Sequence, residues 1–349
     1  KIKALTPPRH LLLFRFSSLG DVAMTVPVLQ VLLKQYPHLQ VTVVSTAFVK
    51  PLFDGIERLH FVAADLKGAH KGFAGLYRLY RQLKKEVPYD AVADFHNVLR
   101  TKVLRSFMLV DGKPIAVIDK GRAEKKALTR ADNKILQPLK STFERYATVL
   151  AQLHLPVQLN VNDGLKPIKN HNEIAALKHR GLQLVGIAPF AQYERKMYPL
   201  DKMKEVIRLL LQHQHIRVYL FGGRAEAAIL QQWEEEFSGT QNCAGKMSFA
   251  EELALISNLD VMVSMDSANM HLASLYGVPV VSIWGATHPY AGFYGWGQKP
   301  ENAVQVDLAC RPCSVFGNKP GPRNDLACLH SISPLMVYQK ITEQINGNQ

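Results

Sequence analysis

Short apolar runs alternate along this chain with stretches whose apolar residues recur every three or four positions. His10 to Phe16 reads as a buried strand ending in the turn-like Ser17-Ser18-Leu19-Gly20. From Asp21 to Tyr36, Val22, Val26, Leu29 and Leu33 share one helical face, and Pro27 predicts a kink or a later helix start. Val41 to Ser45 is the next strand. Phe73, Leu76, Tyr77, Tyr80 and Leu83 mark another helix face, and Asp90 to Phe95 another strand. The rhythm weakens between Leu155 and Gly181, where Pro, Asn and Gly crowd together, with a helix predicted only near Ile174 to Lys178. It then restarts. Strands are predicted at Leu184–Ala188, Arg217–Phe221, Leu259–Ser264 and Pro279–Trp284. Helices are predicted through Met203–Leu211 and Ala225–Phe237, and after the capping box of Ser248 and Glu251.

This alternation is the pattern of βαβ units, which build parallel sheets covered by helices. At 349 residues the chain has room for two such domains, divided at 1–165 and 166–349, with a last helix free to pack back on the first. A hydrophobic content of 47% against 20% charged residues excludes a disordered chain. No apolar run is long enough to span a bilayer as a helix. Four cysteines are too few for a disulfide scaffold and point to a reducing compartment.

Two tandem α/β domains direct attention to the residues just after strands, where open sheets bind ligands. Three segments there are chemically loaded. Ser17-Ser18-Leu19-Gly20-Asp21 offers either a helix cap and turn or a general base. Pro189 to Pro199 presents Arg195 and Lys196 before a helix, either a solvated loop or an anion site. Met265-Asp266-Ser267-Ala268-Asn269-Met270-His271 offers either a cap or a diphosphate site. The Gly-x-Gly-x-x-Gly and Gly-x-x-x-x-Gly-Lys-Ser/Thr fingerprints are both missing, which argues against a dehydrogenase of the Rossmann type and against a P-loop kinase.

Together with Lys196-Met197-Tyr198-Pro199, Gly245-Lys246-Met247-Ser248 and Asp266 to Ala273, the Ser17–Asp21 block resembles glycosyltransferase family 9, the ADP-heptose:lipopolysaccharide heptosyltransferases. The resemblance runs over roughly residues 10–345. It implies the α/β GT-B architecture, two Rossmann-like domains facing across a cleft, and an inverting sugar transfer from a nucleotide-sugar. It implies that Asp21 deprotonates the acceptor hydroxyl, with Ser18 and Gly20 beside the acceptor. It implies that Lys196 contacts the donor phosphates, that Glu226 holds the ribose and that Met247 lies near the adenine. Asp266 would contact the donor sugar, and Ser267, Ala268 and Asn269, with His271 behind them, would receive the diphosphate. The chain departs from the family pattern at Ala268, where Gly is common, and at Gln192-Tyr193, where a hydroxyl pair often stands. A UDP- or GDP-sugar donor is the alternative enzyme reading.

Charge sharpens the expected acceptor. Lys plus Arg number 42 and Asp plus Glu 29, a net of +13, and the stretch from Val98 to Arg145 holds 12 cations against 5 carboxylates. Arg100, Lys102, Arg105, Arg122, Lys125, Lys126, Arg130 and Arg145 are candidates to meet an anionic lipopolysaccharide precursor or the inner leaflet, with Arg122 and Arg145 the preferred acceptor pair. The enzyme is thus expected in the cytoplasm, peripheral at the inner membrane. A non-catalytic nucleic-acid or membrane-surface binder is the rival class; Phe107 and Phe143 alone do not form a stacking array, so no nucleic-acid partner is expected. No Asp-x-Asp pair suggests a metal, and no cofactor is expected. Cys310, Cys313 and Cys328, with His330, could in principle hold zinc, but are read as thiols.

Overall fold

The computed structural model describes residues 7–161, 176–178 and 180–347. Two compact units emerge, one of Lys1–Lys120 with Thr142–Asp163, the other of Gly121–Ser141 with Gly164–Gln349. The second unit therefore takes in the segment 121–141, which a single cut at 165/166 assigns to the first. Most of the expected linker (162–175 and residue 179) lies outside the described residues. Of the helix expected at Ile174–Lys178, Ala176 to Lys178 are helical and the rest lies outside them.

The first unit holds a five-stranded sheet: β1 (His10–Phe14), β2 (Gln40–Ser45), β3 (Leu59–Ala63), β4 (Ala91–Asp94) and β5 (Ile115–Val117). The order is β3-β2-β1-β4-β5 and every pairing is parallel; Leu11 stands opposite both Val41 and Ala91. Strand β1 reads as a continuous apolar run because helices cover both faces, leaving Leu11 to Phe14 with no exposure. The helix expected over Asp21–Tyr36 is two, α1 (Leu19–Ala23) and α2 (Thr25–Gln35). Pro27 lies in the first turn of α2, where its missing N–H costs nothing. The remaining helices of this unit are α3 (Gly72–Glu86), α4 (Leu99–Met108) and α6 (Thr142–Gln152), with α5 (Arg122–Thr129) in the second unit.

The second unit's sheet has six strands: β6 (Gln183–Ala188), β7 (Ile216–Leu220), β8 (Thr240–Asn242), β9 (Val261–Met265), β10 (Val280–Ile283) and β11 (Ala303–Val304), in the order β11-β10-β9-β6-β7-β8. The capping box forms as expected, Ser248 N–H and Oγ–H both donating to Glu251 at 2.7 Å. The last helix, Pro334–Gly347, packs in the core of this unit through Val337, Ile341 and Ile345. Among the described residues no helix is long and apolar enough to cross a membrane.

Both sheets reverse direction in the same way. Chain order runs outward from β1 to β2 and β3, then jumps back to β4 on the other side of β1. It runs from β6 to β7 and β8, then jumps back to β9 beside β6. At such a reversal the loops leaving the two central strands diverge, opening a crevice at their carboxyl ends.

A packing test follows from α3. Gly75 sits inside this helix, where alanine ordinarily adds up to about 1 kcal/mol of stability. A Cβ on Gly75, however, would lie 2.4 Å from the His70 carbonyl carbon. Gly75→Ala is therefore expected to destabilise by about 1–3 kcal/mol, lowering the midpoint of thermal unfolding; a raised midpoint would contradict this packing.

Candidate functional site

In the first unit the reversal lies between β1 and β4, and four polar groups gather there. Arg15 follows β1 and is buried; its Nη1 donates to the Phe95 carbonyl at 2.7 Å and its Nη2 pairs with Asp21 Oδ2 at 2.5 Å. Asp21 projects from α1, and Ser18 donates to the same Oδ2 through Oγ–H (2.8 Å) and N–H (3.4 Å). The Tyr146 hydroxyl from α6 donates to the Asp21 carbonyl at 3.1 Å, and its ring stacks on Phe95 at 4.3 Å. Burial works against the charge of Arg15, but Tyr146, Asp21 and Asp94 outweigh it and hold the guanidinium ionised. The Asp21 side chain is 27% exposed against 8% for Arg15, so the carboxylate is the end turned toward solvent.

The loop after β4 is held by fully buried Asp94, whose Oδ1 accepts from the His96 and Asn97 N–H groups at 2.9 and 2.8 Å. Arg105 Nε pairs with Asp94 Oδ2 at 3.0 Å. His96 Nδ1 accepts from the Phe16 N–H at 3.4 Å, which leaves the ring proton on Nε2. Burial first, then Arg15 and Lys120, push this imidazole down to about 3.

In the second unit the corresponding reversal lies between β6 and β9. Lys196, in the turn Glu194–Lys196 after β6, places Nζ 3.1 Å from Asp266 Oδ2 after β9, with the two side chains 14% and 8% exposed. Ser267 stands at the N-cap position of the helix Ala268–Leu275, its Oγ 2.9 Å from Ser264 Oγ with no capping bond to the helix. The first-turn N–H groups of that helix point out of its amino end, where an anion is favoured. His271, one turn on, is buried.

The Lys196 loop is built to hold its shape. Ala286 N–H donates to the Arg195 carbonyl at 3.0 Å, an approach that glycine at 285 permits, since a Cβ there would lie 2.7 Å from that carbonyl oxygen. The Tyr198 hydroxyl donates to the Ile332 carbonyl at 3.0 Å. The Lys196 stem passes over Gly317 (φ +74°), where a Cβ would lie 2.5 Å from Lys196 Cγ.

Glu226 ends the turn Arg224–Glu226 after β7, folded over Gly222-Gly223, where a Cβ at 223 would meet its Oε2 at 2.7 Å. Met247 is half-buried in the loop after β8. Because the strands are parallel, Lys196, Glu226, Met247, Asp266 and Ser267 to Asn269 all lie at the carboxyl edge of one sheet. Asp21, Ser18 and Gly20 lie at that edge of the other.

The two preferred acceptor cations are not gathered with them in one way. Arg145 is buried in the first unit, with Nη1 donating to the Asp119 carbonyl at 3.3 Å, whereas Arg122 is exposed at the start of α5 in the second. Nor is the basic stretch one face. Arg105 serves Asp94, and buried Lys125 lies over the Phe293 ring at 4.2 Å. Cys310, Cys313 and Cys328 are free thiols around a small depression. Among the described residues no group of three or more His, Cys, Asp or Glu side chains is arranged for a metal. The anchor of that segment is Arg311, buried and donating to the Gly285 and Val306 carbonyls at 2.6 Å each and to Thr287 at 3.0 Å.

Sequence reading missed Arg15, His96 and Gly317. Arg15 carried a signal: a cation closing an otherwise apolar strand run needs a partner. Gly317 carried none, since its contact with Lys196 spans more than a hundred residues of chain.

Each unit is a parallel α/β sheet with charged groups at its reversal point, the α/β fold shared with the GT-B heptosyltransferases of known structure. The match of residues 76–321 to glycosyltransferase family 9 (heptosyltransferase) shows that the chain belongs to this family, and it is a glycosyltransferase. It is 23% identical to the lipopolysaccharide core heptosyltransferase OpsX of Haemophilus influenzae over 81% of this chain and 80% of that protein. It is 26% identical to lipopolysaccharide heptosyltransferase 1 of Pseudomonas aeruginosa, covering 87% and 86%. The fold superposes on the Escherichia coli ADP-heptose LPS heptosyltransferase II with a TM-score of 0.67 at 16% identity, over 97% of this chain and 99% of that one.

The depressed His96 fixes an observable. Its ordinary pKa is 6.5, so an unfolded chain binds the proton between pH 6.5 and 3 while the folded chain does not. Stability from the neutral ring is fully present above about pH 6.5 and is lost progressively as pH falls toward 3. The His96 ring resonances of the folded protein should stay constant from pH 8 to 5. A midpoint near 6.5 would show an open, hydrated ring instead.

Proposed function

We propose that this enzyme transfers a heptose from ADP-heptose to a hydroxyl of an anionic lipopolysaccharide core precursor, with inversion at the anomeric carbon. The observation that carries the reading is the paired ionic motif at equivalent sheet reversals: Asp21 on buried Arg15, and Lys196 on Asp266 at a helix amino end. The family and the named relatives, heptosyltransferases of the lipopolysaccharide core, supply the sugar and the acceptor class.

The acceptor oxygen attacks the anomeric carbon as the bond to the diphosphate oxygen breaks, and the hydroxyl proton passes to Asp21. That oxygen becomes strongly acidic only as its new bond forms, so a carboxylate paired with Arg15 and hydrogen-bonded by Ser18 is a sufficient base. Arg15 and Ser18 hold Oδ2 and so fix the carboxylate plane. Neutral His96, carrying its proton on Nε2, is a hydrogen-bond donor for the acceptor that adds no positive charge next to the base.

The departing diphosphate gains charge. Lys196 and the first-turn N–H groups of 268–270 receive it, a fixed field that needs no reorganisation during reaction. Asp266 accepts from sugar hydroxyls, Glu226 from the ribose, and Met247 lies against the adenine. The role of Arg122 is with the acid groups of the acceptor. Arg145, buried on the Asp119 carbonyl, acts by holding the chain that leads to α5. The acceptor's lipid anchor makes the enzyme a peripheral one at the cytoplasmic face of the inner membrane.

Asp21→Asn keeps an oxygen for Arg15 and removes the base. Transfer should fall by about 10²–10⁴-fold with ADP affinity unchanged; near-normal turnover in a folded variant would sink the base assignment. Lys196→Ala should weaken ADP binding by roughly 10–100-fold. Gly317→Ala should weaken it too by displacing the lysine stem, and calorimetric titration with ADP, UDP and GDP reads both effects. Preference for UDP or GDP in the unaltered enzyme would transfer the reading to another donor.

A further inference from the structure

A patch on the first unit is apolar, aromatic and basic at once, and none of the chemistry above uses it. Phe73 and Tyr77 of α3 are 67% and 44% exposed, and Leu109 and Val110, just after α4, are 69% and 78% exposed. Phe107 joins them, its ring 5.1 Å from Phe73 and 5.4 Å from Tyr77, both edge-on. Tyr77, Phe107 and Val110 line one shallow depression with Arg81, Lys84 and Lys85. In residues 72–86 and 106–113, five exposed cations (Arg78, Arg81, Lys84, Lys85, Lys113) stand against two carboxylates, exposed Glu86 and half-buried Asp111, a net of +3. Asp111 pairs with Lys84 at 2.5 Å and accepts from the Tyr80 and Tyr89 hydroxyls, which leaves Arg78, Arg81, Lys85 and Lys113 against Glu86.

We propose that this face of α3 and the end of α4 docks on an anionic lipid bilayer, with Phe73, Leu109 and Val110 entering the headgroup–acyl boundary and the surrounding cations meeting lipid phosphates. Charge complementarity selects this occupant. A large apolar group held in water has a cost that burial removes, and the flanking cations add electrostatic attraction to an anionic leaflet. Phe107 meets both Phe73 and Tyr77 edge to face, at 75° and 78°, so these neighbouring rings do not line up as parallel platforms of the kind single-stranded nucleic acid stacks on. A second copy of the chain would bring a like-charged rim against this one, an arrangement that repels. The inference deepens the proposed function by giving the lipid-anchored acceptor a place of approach, but its test needs no sugar.

The full chain is incubated with vesicles of zwitterionic phosphatidylcholine alone or with 30% phosphatidylglycerol (an amount chosen within the ordinary anionic range, roughly physiological), and the bound fraction is read after flotation. Binding to the anionic vesicles, and weak binding to the zwitterionic ones, is expected. Arg81→Ser with Lys85→Ser should weaken anionic binding by about 25-fold, taking roughly fivefold per cation removed. Leu109→Ser with Val110→Ser should weaken it at least about tenfold. If the apolar variant fails to fold by circular dichroism, the charge variant decides. Transfer to a core oligosaccharide freed of its acyl chains should be unchanged in both, which separates this inference from the catalytic reading. Equal binding of variants and unaltered protein, no preference for anionic vesicles, or a concentration-dependent dimer abolished by the Leu109/Val110 change would each overturn it.

Discussion

A guanidinium at the end of a fully buried strand has to be answered by a carboxylate. Arg15 continues β1 into the crevice between β1 and β4, and its environment excludes most solvent. Leaving it unpaired would cost several kcal/mol. The turn that supplies Asp21 therefore has little freedom: Ser18 must reach back to the carboxylate, α1 must start where it does, and Tyr146 must come from α6 to hold the Asp21 carbonyl. The geometry of the acceptor-side chemistry is in this sense a consequence of burying one cation. The same logic recurs after β6 and β9, where Lys196 and Asp266 answer each other with both side chains largely covered.

Much of this was legible in the sequence, and the exceptions have a common cause. The central strands β1, β2, β4, β6, β7, β9 and β10 are covered on both faces and read as apolar runs. The strands that escaped notice are at or near the sheet edges. Strand β3 has only half-buried and exposed residues, and β8 is the polar Thr240-Gln241-Asn242. Their strand character comes from backbone pairing with a neighbour, which side-chain pattern does not record. The division of α1 from α2 at Met24 was half-visible through Pro27.

Site residues divide on the same line. Asp21, Lys196 and Asp266 follow strands and announce themselves by chemistry in a small-residue context. The basic stretch from Val98 to Arg145 did not behave as its composition suggests, because linear density of charge says nothing about which cations are committed inward. Arg105, Lys125 and Arg145 each have an internal partner. The Cys310–Cys313 segment drew attention to its thiols, while the structural weight falls on Arg311 between them, whose donors gather the loops following β10 and β11.

The two ion pairs differ in a way that matters for the proposed reaction. In the first, the cation is buried and the carboxylate is the more exposed member, which suits the proposed roles of Arg15 as a fixture and Asp21 as the base. In the second, both members are mostly covered, and the Lys196 stem lies in the space that glycine at 317 leaves free. A sugar diphosphate brings more negative charge to Lys196 than one carboxylate can, and it also brings hydroxyl donors. On the proposed reading, Lys196 turns toward the phosphates while Asp266 offers its acceptor oxygens to the sugar, so one ion pair is exchanged for two interactions with the donor. On that reading both a nucleotide-sugar and ADP engage Lys196, but only the sugar supplies hydroxyl donors to the covered Asp266 carboxylate, so the intact donor is favoured over ADP.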